Sequence, residues 1–464
     1  RDPSLNARYH YEKNAPAYLE RVAAVVASTK SVPAFHNDAA DIRTLENQGI
    51  ETADARNYAV IGCVEMGVPG KTYDASSAIM FNLVSALELA LYNGRRPVTG
   101  DDLMSIETGD PTALTHFNEF WEAFKAQVRW LLGKAIELNE AFGRVHQDIF
   151  PTPLLSAFFD GPLQKGRDLI FGGARYNASG ATHIGFADTV DSLNAIEKGV
   201  FIDRICTFSD LLAALKADFA GFAKLHAWFV NKAPKYGTDD PIAVKNSQNL
   251  VRFLYDFYQS HINYRGGRYK PAYWTMTNHA GQGKLTGALP NGRKANKVFA
   301  SGITPVSQAA RDLSACLRAV GGLDGLCIPM GEALNLKYPS CDTPEDIRKF
   351  AQAIEAYFRG GGLHVQFNIL SYEMLLYAKK HPEKYPELFE GEYSEYLDHE
   401  SEVRVGSTYY KAIDVLKAVD PDKYKALMQG FILDVLPTRP SSVMEDIKEQ
   451  LEILKEELSD KTEI

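Results

Sequence analysis

Asp54-Ala55-Arg56-Asn57-Tyr58-Ala59-Val60-Ile61-Gly62-Cys63-Val64-Glu65 joins an apolar run to a cysteine and a carboxylate. Tyr58 to Gly62 is a short apolar run, the pattern of a buried strand. It ends at Cys63-Val64-Glu65, and a Gly- and Pro-rich loop from Met66 to Tyr73 follows. On an extended chain residues i and i+2 point to the same side. The Cys63 thiol and the Glu65 carboxylate can therefore reach one substrate. A sulfur nucleophile or radical carrier beside a general acid/base is sound chemistry. A lone buried cysteine is more often a small core residue, so the pair needs support from elsewhere in the chain.

Outward from this stretch, helix and strand alternate. Tyr18, Leu19, Val22, Val25 and Val26 have helical spacing, and Pro33 to Asp38 breaks that helix. Ser76 to Asn93 reads as a helix apolar on more than one face, the mark of a buried helix. Helix is expected over 110–142, 191–201, 207–230, 246–260 and 305–320, with a turn-rich junction at Gly172 to Asn177 and loop from Gly281 to Ser301. Leu363 to Leu370 reads as a strand, and Ser371 caps a helix over 372–380. Buried strands mixed with long helices indicate an α/β class. No internal repeat is evident. Near the end, Met444, Ile447, Leu451, Leu454 and Leu458 form a narrow apolar seam among Glu and Lys, which reads as an amphipathic helix packing on its own domain in preference to an interchain coiled coil.

Composition excludes several classes. Apolar residues at 45% and charged residues at 23% are globular values, not those of a disordered or collagen-like chain. No run of about 18 apolar residues offers a transmembrane helix. The net charge of -9 and the lack of a basic cluster argue against a nucleic-acid ligand. Five scattered cysteines make no disulfide framework, which fits a reducing, cytoplasmic setting. Cys206, Cys316, Cys327 and Cys341 lack zinc spacing. His364 reads as a satisfied core histidine. No G-x-S-x-G or P-loop occurs, and the Asn177-Ala178-Ser179 sequon reads as chance. The chain opens on Arg1 with no leader pattern, so its start reads as an internal cut point, a processed end or a trimmed chain.

Four further segments stand in order around the Cys63 stretch. They are Pro33-Ala34-Phe35-His36-Asn37-Asp38, Thr286-Gly287-Ala288-Leu289-Pro290-Asn291-Gly292-Arg293-Lys294-Ala295, Gly361-Gly362-Leu363-His364-Val365-Gln366-Phe367-Asn368 and His381-Pro382-Glu383-Lys384-Tyr385-Pro386. Together with the Gly62-Cys63-Val64-Glu65 motif, this set resembles the C-terminal half of a glycyl radical enzyme, the superfamily of pyruvate formate-lyase. The resemblance covers roughly residues 1–388. It implies part of a ten-stranded α/β barrel with the catalytic cysteine on an interior loop. By resemblance, Cys63 carries a thiyl radical and Glu65 is the general acid/base of the eliminating and decarboxylating branches. Water exclusion in a barrel strengthens the carboxylate's electrostatic effect.

The resemblance also implies a function, a cofactor economy and partners. It points to a lyase cleaving a C–X bond of a small polar substrate, with an arylacetate-type decarboxylase as the alternative. No cofactor is bound; the radical sits on a protein glycine, installed by an iron–sulfur activating enzyme that uses S-adenosylmethionine. Gly62 precedes Cys63 where pyruvate formate-lyase has a second cysteine. Ser76 and Ser77 stand where the vicinal-diol dehydratases carry a His-Asp pair. Glu65 counts against the hydrocarbon-adding synthases, which usually lack it.

Two departures shape the remaining expectations. The radical loop is altered: Phe389-Glu390-Gly391-Glu392-Tyr393-Ser394 follows Leu388, and Val403-Arg404-Val405-Gly406-Ser407-Thr408-Tyr409 is a displaced partial echo. Gly391 and Gly406 are the candidate radical carriers, so 1–388 is taken as the barrel region and 389–464 as an atypical C-terminal segment. Only 62 residues precede Cys63, where the family has a whole half-barrel. A second chain supplying that half, a fragment or engineered chain, and a smaller rebuilt barrel closed by residues after 388 are the three explanations, and a homo-oligomer is compatible with each. A non-enzymatic reading competes: a silent pseudoenzyme or assembly subunit that kept the fold and lost the radical loop. An ordinary thiol enzyme fits less well, because the nearest charged motif residue is the acidic Glu65, which disfavours a thiolate.

Overall fold

The computed structural model describes residues 5–369 apart from 98, 99, 101, 307–311 and 340, together with 377 and 381. All of these lie in the first of two compact units, Arg1–Val403; the second is Arg404–Ile464. The expected helix over 372–380, Gly391, Gly406 and the 444–458 seam fall outside the described residues, save Tyr377 itself.

Ten strands are described: β1 (Asn6–Tyr9), β2 (Ala34–Asn37), β3 (Ala59–Ile61), β4 (Glu65–Gly67), β5 (Thr72–Tyr73), β6 (Ile79–Asn82), β7 (Tyr176–Ile184), β8 (Arg268–Ala272), β9 (Asn335–Lys337) and β10 (His364–Asn368). β6, β7 and β8 are parallel neighbours, and β5 pairs in parallel with the start of β7. The ribbon continues past β8. Tyr273 bridges in parallel to Glu332, its N–H donating to the Gly331 carbonyl at 3.0 Å and its carbonyl accepting from Ala333 at 2.9 Å. That segment runs into β9, which is parallel to β10. β10 then meets β2 antiparallel, and β1 lies parallel to β2. Two blocks of parallel strands thus meet at a single reversal, the β2–β10 seam. Long helices connect the strands, as parallel pairing requires. Among them are Pro16–Thr29 between β1 and β2, Phe117–Ile149 between β6 and β7, Pro241–Gln259 before β8, and Pro344–Arg359 between β9 and β10. No helix among the described residues is long and apolar enough to cross a membrane.

The α/β class is as the sequence indicates, and the differences are local. The expected helix from Ser76 begins as a strand: Ile79-Met80-Phe81 is β6, and Asn82 ends it as the cap of helix Leu83–Leu91. A short apolar run does not by itself tell strand from buried helix. The Asn82 side chain accepts from the N–H groups of Val84 at 3.0 Å and Ser85 at 3.2 Å, and every residue of the helix is buried. Pro33 to Asp38 is not merely a break, since Ala34–Asn37 is the buried strand β2. Part of the expected loop after Glu65 is paired backbone, in β4 and β5. The single helix expected over 207–230 is two, because Asp218 and Phe219 take positive φ angles of 47° and 61° between them.

Glu332, at the join of the ribbon, is buried. Its Oε1 accepts from the Tyr357 hydroxyl at 2.9 Å and from the Leu363 N–H at 3.3 Å. Burial nonetheless pushes its carboxyl up to about 7 from an ordinary 4.5.

Two outcomes are expected. Asn82→Ala removes the acceptor for two buried N–H groups and should cost about 1–2 kcal/mol in urea unfolding; an unchanged midpoint would contradict the cap. For Glu332, the folded chain keeps a proton that the unfolded chain releases above its own lower pKa. The group's contribution to stability is full below about pH 4.5 and is lost as pH rises through about 7. Glu332→Gln should therefore gain on the wild type by up to about 3 kcal/mol between about pH 4 and about pH 8. A pH-independent difference between the two proteins would refute the shifted carboxyl.

Candidate active site

Cys63 lies at the tip of a hairpin. β3 and β4 pair antiparallel with Ile61 opposite Glu65, Val60 opposite Met66 and Ala59 opposite Gly67. Gly62, Cys63 and Val64 are left as a three-residue turn. Such a turn needs a left-handed residue, and Gly62 supplies it at φ 62°. The Glu65 side chain folds back over the turn. Its Oε2 accepts from the N–H of Cys63 at 3.2 Å and of Val64 at 3.1 Å. Glu65 is 5% exposed, whereas Cys63 is exposed and in no disulfide. The thiol-bearing residue and the carboxylate are thus brought together, but not by extended-strand alternation. Cys63 is off the strand, and the returning carboxylate makes the contact.

The stem of the hairpin is anchored to the seam. Tyr58, just before β3, is buried, and its hydroxyl donates to Asp38 Oδ1 at 2.9 Å and Asp41 Oδ2 at 3.0 Å. Arg8 of β1 donates to the Tyr58 carbonyl at 2.7 Å, and its guanidinium lies 3.8 Å from the centre of the Tyr58 ring. Arg8 also pairs with Asp38 at 2.6 Å. Met66 and Val68 pack with Leu45, Ile50, Ala55 and Tyr58 in a buried cluster. At the tip, Val64 packs with Ala272, Trp274 and Met330.

Behind Tyr58 lies a buried polar group of residues. Asp41 Oδ2 is 3.2 Å from His36 Nδ1, and the His36 ring centre is 4.9 Å from that of His364, its cross-strand partner. Burial raises the Asp41 carboxyl and the Tyr58 phenol and lowers His364. His364 is a core histidine as expected, and among the described residues its Nδ1 has no hydrogen-bond partner, nor do His36 Nε2 and Asp41 Oδ1.

The remaining residues singled out from sequence lie on other elements. Ser76 and Ser77 occupy the turn between β5 and β6. Cys316, Cys327 and Cys341 are buried, and burial pushes the first two thiols up to about 12. Among the described residues, no group of three or more His, Cys, Asp or Glu side chains could hold a metal ion. Sequence reasoning missed Arg8, Asp41, Tyr58 and Glu332. The only local sign of Glu332 was an acidic residue directly after the apolar, Gly-containing run Ile328-Pro329-Met330-Gly331.

Comparison with known proteins bears on this hairpin. Residues 1–283 match the family model described as pyruvate formate lyase-like, and residues 299–390 match the one described as glycine radical. The chain is 33% identical over 389 residues to trans-4-hydroxy-L-proline dehydratase of Clostridioides difficile, covering 83% of this chain and 49% of that one. It is 30% identical over 395 residues to isethionate sulfite-lyase of Nitratidesulfovibrio vulgaris, covering 83% and 47%. Among solved structures, the hydroxyproline dehydratase of C. difficile superposes with a TM-score of 0.79 at 31% identity, over 83% of this chain and 48% of that one. The glycerol-bound B12-independent glycerol dehydratase of Clostridium butyricum gives 0.78 at 31%, over 83% and 49%. The chain spans about half the length of the curated relatives it matches. On these matches, with the Cys63–Glu65 hairpin anchored on an α/β framework, the chain belongs to the pyruvate formate-lyase-like family of glycyl radical enzymes.

Proposed function

We propose that this chain carries the thiyl-bearing portion of a glycyl radical lyase that cleaves a C–X bond of a small polar substrate. The observation that carries the reading is the Glu65 carboxylate held on the backbone N–H of Cys63 at 3.2 Å. One residue can exchange a hydrogen atom and the other a proton at adjacent points of one turn. In the proposed cycle the Cys63 thiyl takes a hydrogen atom from a substrate C–H bond, giving a thiol and a carbon radical. Glu65 moves the proton that lets the neighbouring group depart. The product radical then takes the hydrogen atom back from Cys63, so the thiyl is regenerated and no net oxidation occurs.

Relatives named for hydroxyproline, sulfopropanediol and isethionate support a hydroxyl or sulfite leaving group. The likeness to an indoleacetate decarboxylase is lower in coverage, 74% of this chain, and decarboxylation is the second reading. The radical itself belongs on a glycine, with Gly391 and Gly406 as candidates in the segment 389–464. A radical S-adenosylmethionine activase installs it, in the cytoplasm. A second polypeptide or a further length of chain supplies the rest of the barrel.

Anaerobic electron paramagnetic resonance after treatment with a cognate activase, S-adenosylmethionine and reductant should give a glycyl-type doublet. Cleavage of the peptide by oxygen should fall at Gly391 or Gly406. A folded sample that stays silent with a competent activase favours the non-catalytic subunit instead. In activated preparations Cys63→Ser should keep the doublet and lose turnover, and residual turnover would sink the thiyl assignment. Glu65→Gln should lower elimination by about a hundredfold or more while hydrogen exchange with deuterated substrate persists.

A further inference from the structure

The segment that joins the two parts of the ribbon also touches the tip of the hairpin. Gly331 has φ 84°, a backbone conformation that side chains with a Cβ rarely adopt. A methyl group there would stand 2.1 Å from the Val64 carbonyl oxygen, 2.9 Å from the Val64 carbonyl carbon and 3.4 Å from the Glu65 nitrogen. The first two distances are shorter than any non-bonded contact can be. Gly331 cannot yield either. Its N–H donates to the Ile328 carbonyl at 3.1 Å, its carbonyl accepts from Tyr273 at 3.0 Å, and the preceding Met330 N–H donates to Pro271 at 3.2 Å. The following residue, Glu332, is fixed by Tyr357 and by the Leu363 N–H.

We propose that Gly331 is a positioning residue for the Cys63–Glu65 turn, a side-chain-free shelf that sets where the Val64 peptide lies. Val64 stands between the two residues assigned chemistry, and its own N–H is one of the two donors that hold the Glu65 carboxylate. The Val64 carbonyl shares one rigid peptide plane with the Glu65 nitrogen and Cα, so a group at 331 that displaces it displaces the backbone that carries the Glu65 carboxylate away from the Cys63 and Val64 N–H donors. The carboxylate then loses its hold on the turn that bears the thiol. The inference that this matters for catalysis rests on the reading of Cys63 and Glu65 given above. The geometry it describes does not.

The test is amide hydrogen exchange on the full-length chain. Gly331→Ala should speed exchange of the Cys63 and Val64 amides about tenfold while amides of β7 keep their protection. Gly172→Ala is the comparison: Gly172 has φ 86°, and a methyl there would lie 2.4 Å from the Arg265 carbonyl oxygen. It should leave Cys63 and Val64 exchange unchanged. Gly331→Asn tolerates the left-handed backbone but retains a Cβ, so it should fail to restore protection. Restoration by Asn would assign the effect to local backbone strain and overturn the positioning role. Unchanged exchange at Cys63 and Val64 in a folded Gly331→Ala protein would overturn it as well. Should that variant not fold, Tyr357→Phe removes the shorter of the two hydrogen bonds that fix Glu332 without adding an atom. It should speed the same two amides, and no change there would overturn the proposal. These readouts need no radical. A failed Cys63 assignment would appear as turnover in Cys63→Ser and leave them standing.

Discussion

A carboxylate oxygen that accepts from two successive amides of a three-residue turn holds the Cys63 hairpin in shape. It requires Gly62 in the left-handed region, because a shorter or stiffer turn could not offer both N–H groups to one oxygen. It requires Glu65 to be largely buried, where hydrogen bonds to a carboxylate are not in competition with water. It also requires a stem that does not move. Arg8, Asp38 and Tyr58 provide that, joining the first strand of the chain to the base of the hairpin by hydrogen bonds and a guanidinium–ring contact.

The β2–β10 seam shows how polar and apolar demands are divided between two faces of a sheet. On one face Phe35, Phe350 and Phe367 meet edge to face at 6.3, 6.5 and 4.7 Å between ring centres. On the other face lie His36 and His364, with Asp41 close behind and three of their buried polar atoms without partners among the described residues. The arrangement fixes register. Slipping β10 by one residue would carry Phe367 to the polar face and an imidazole into the aromatic cluster. Specificity of pairing is therefore held by a contrast between faces rather than by hydrogen bonds alone.

The sequence was most legible where one local rule had no competitor. The apolar run at Tyr58 to Gly62 showed a strand, and the strand over His364–Asn368 was legible because apolar and polar residues alternate along it. Cys63 and Glu65 were readable as a pair because motif and strand end coincided, although the hairpin that unites them was not. Where two rules competed, the reading failed. Ile79–Asn82 is as apolar as the helix behind it, and only parallel pairing with β7 makes it a strand. β7 itself, Tyr176–Ile184, is Gly- and Ala-rich with little local strand signal, and it exists through its neighbours on both sides. The supports of the hairpin were invisible for a related reason. Arg8, Glu332 and Tyr357 lie far from Cys63 in sequence, and no local pattern links them.

The single reversal at β2–β10 has a consequence in parity. A closed ring of strands must return to its starting direction, so reversals around any barrel come in even numbers. From β6 through β10 the strands run one way, and β2 and β1 run the other. Whatever closes the ring between β1 and β6 must therefore contain an odd number of reversals. One is the simplest solution. A ring closed in that way would have two oppositely directed sectors.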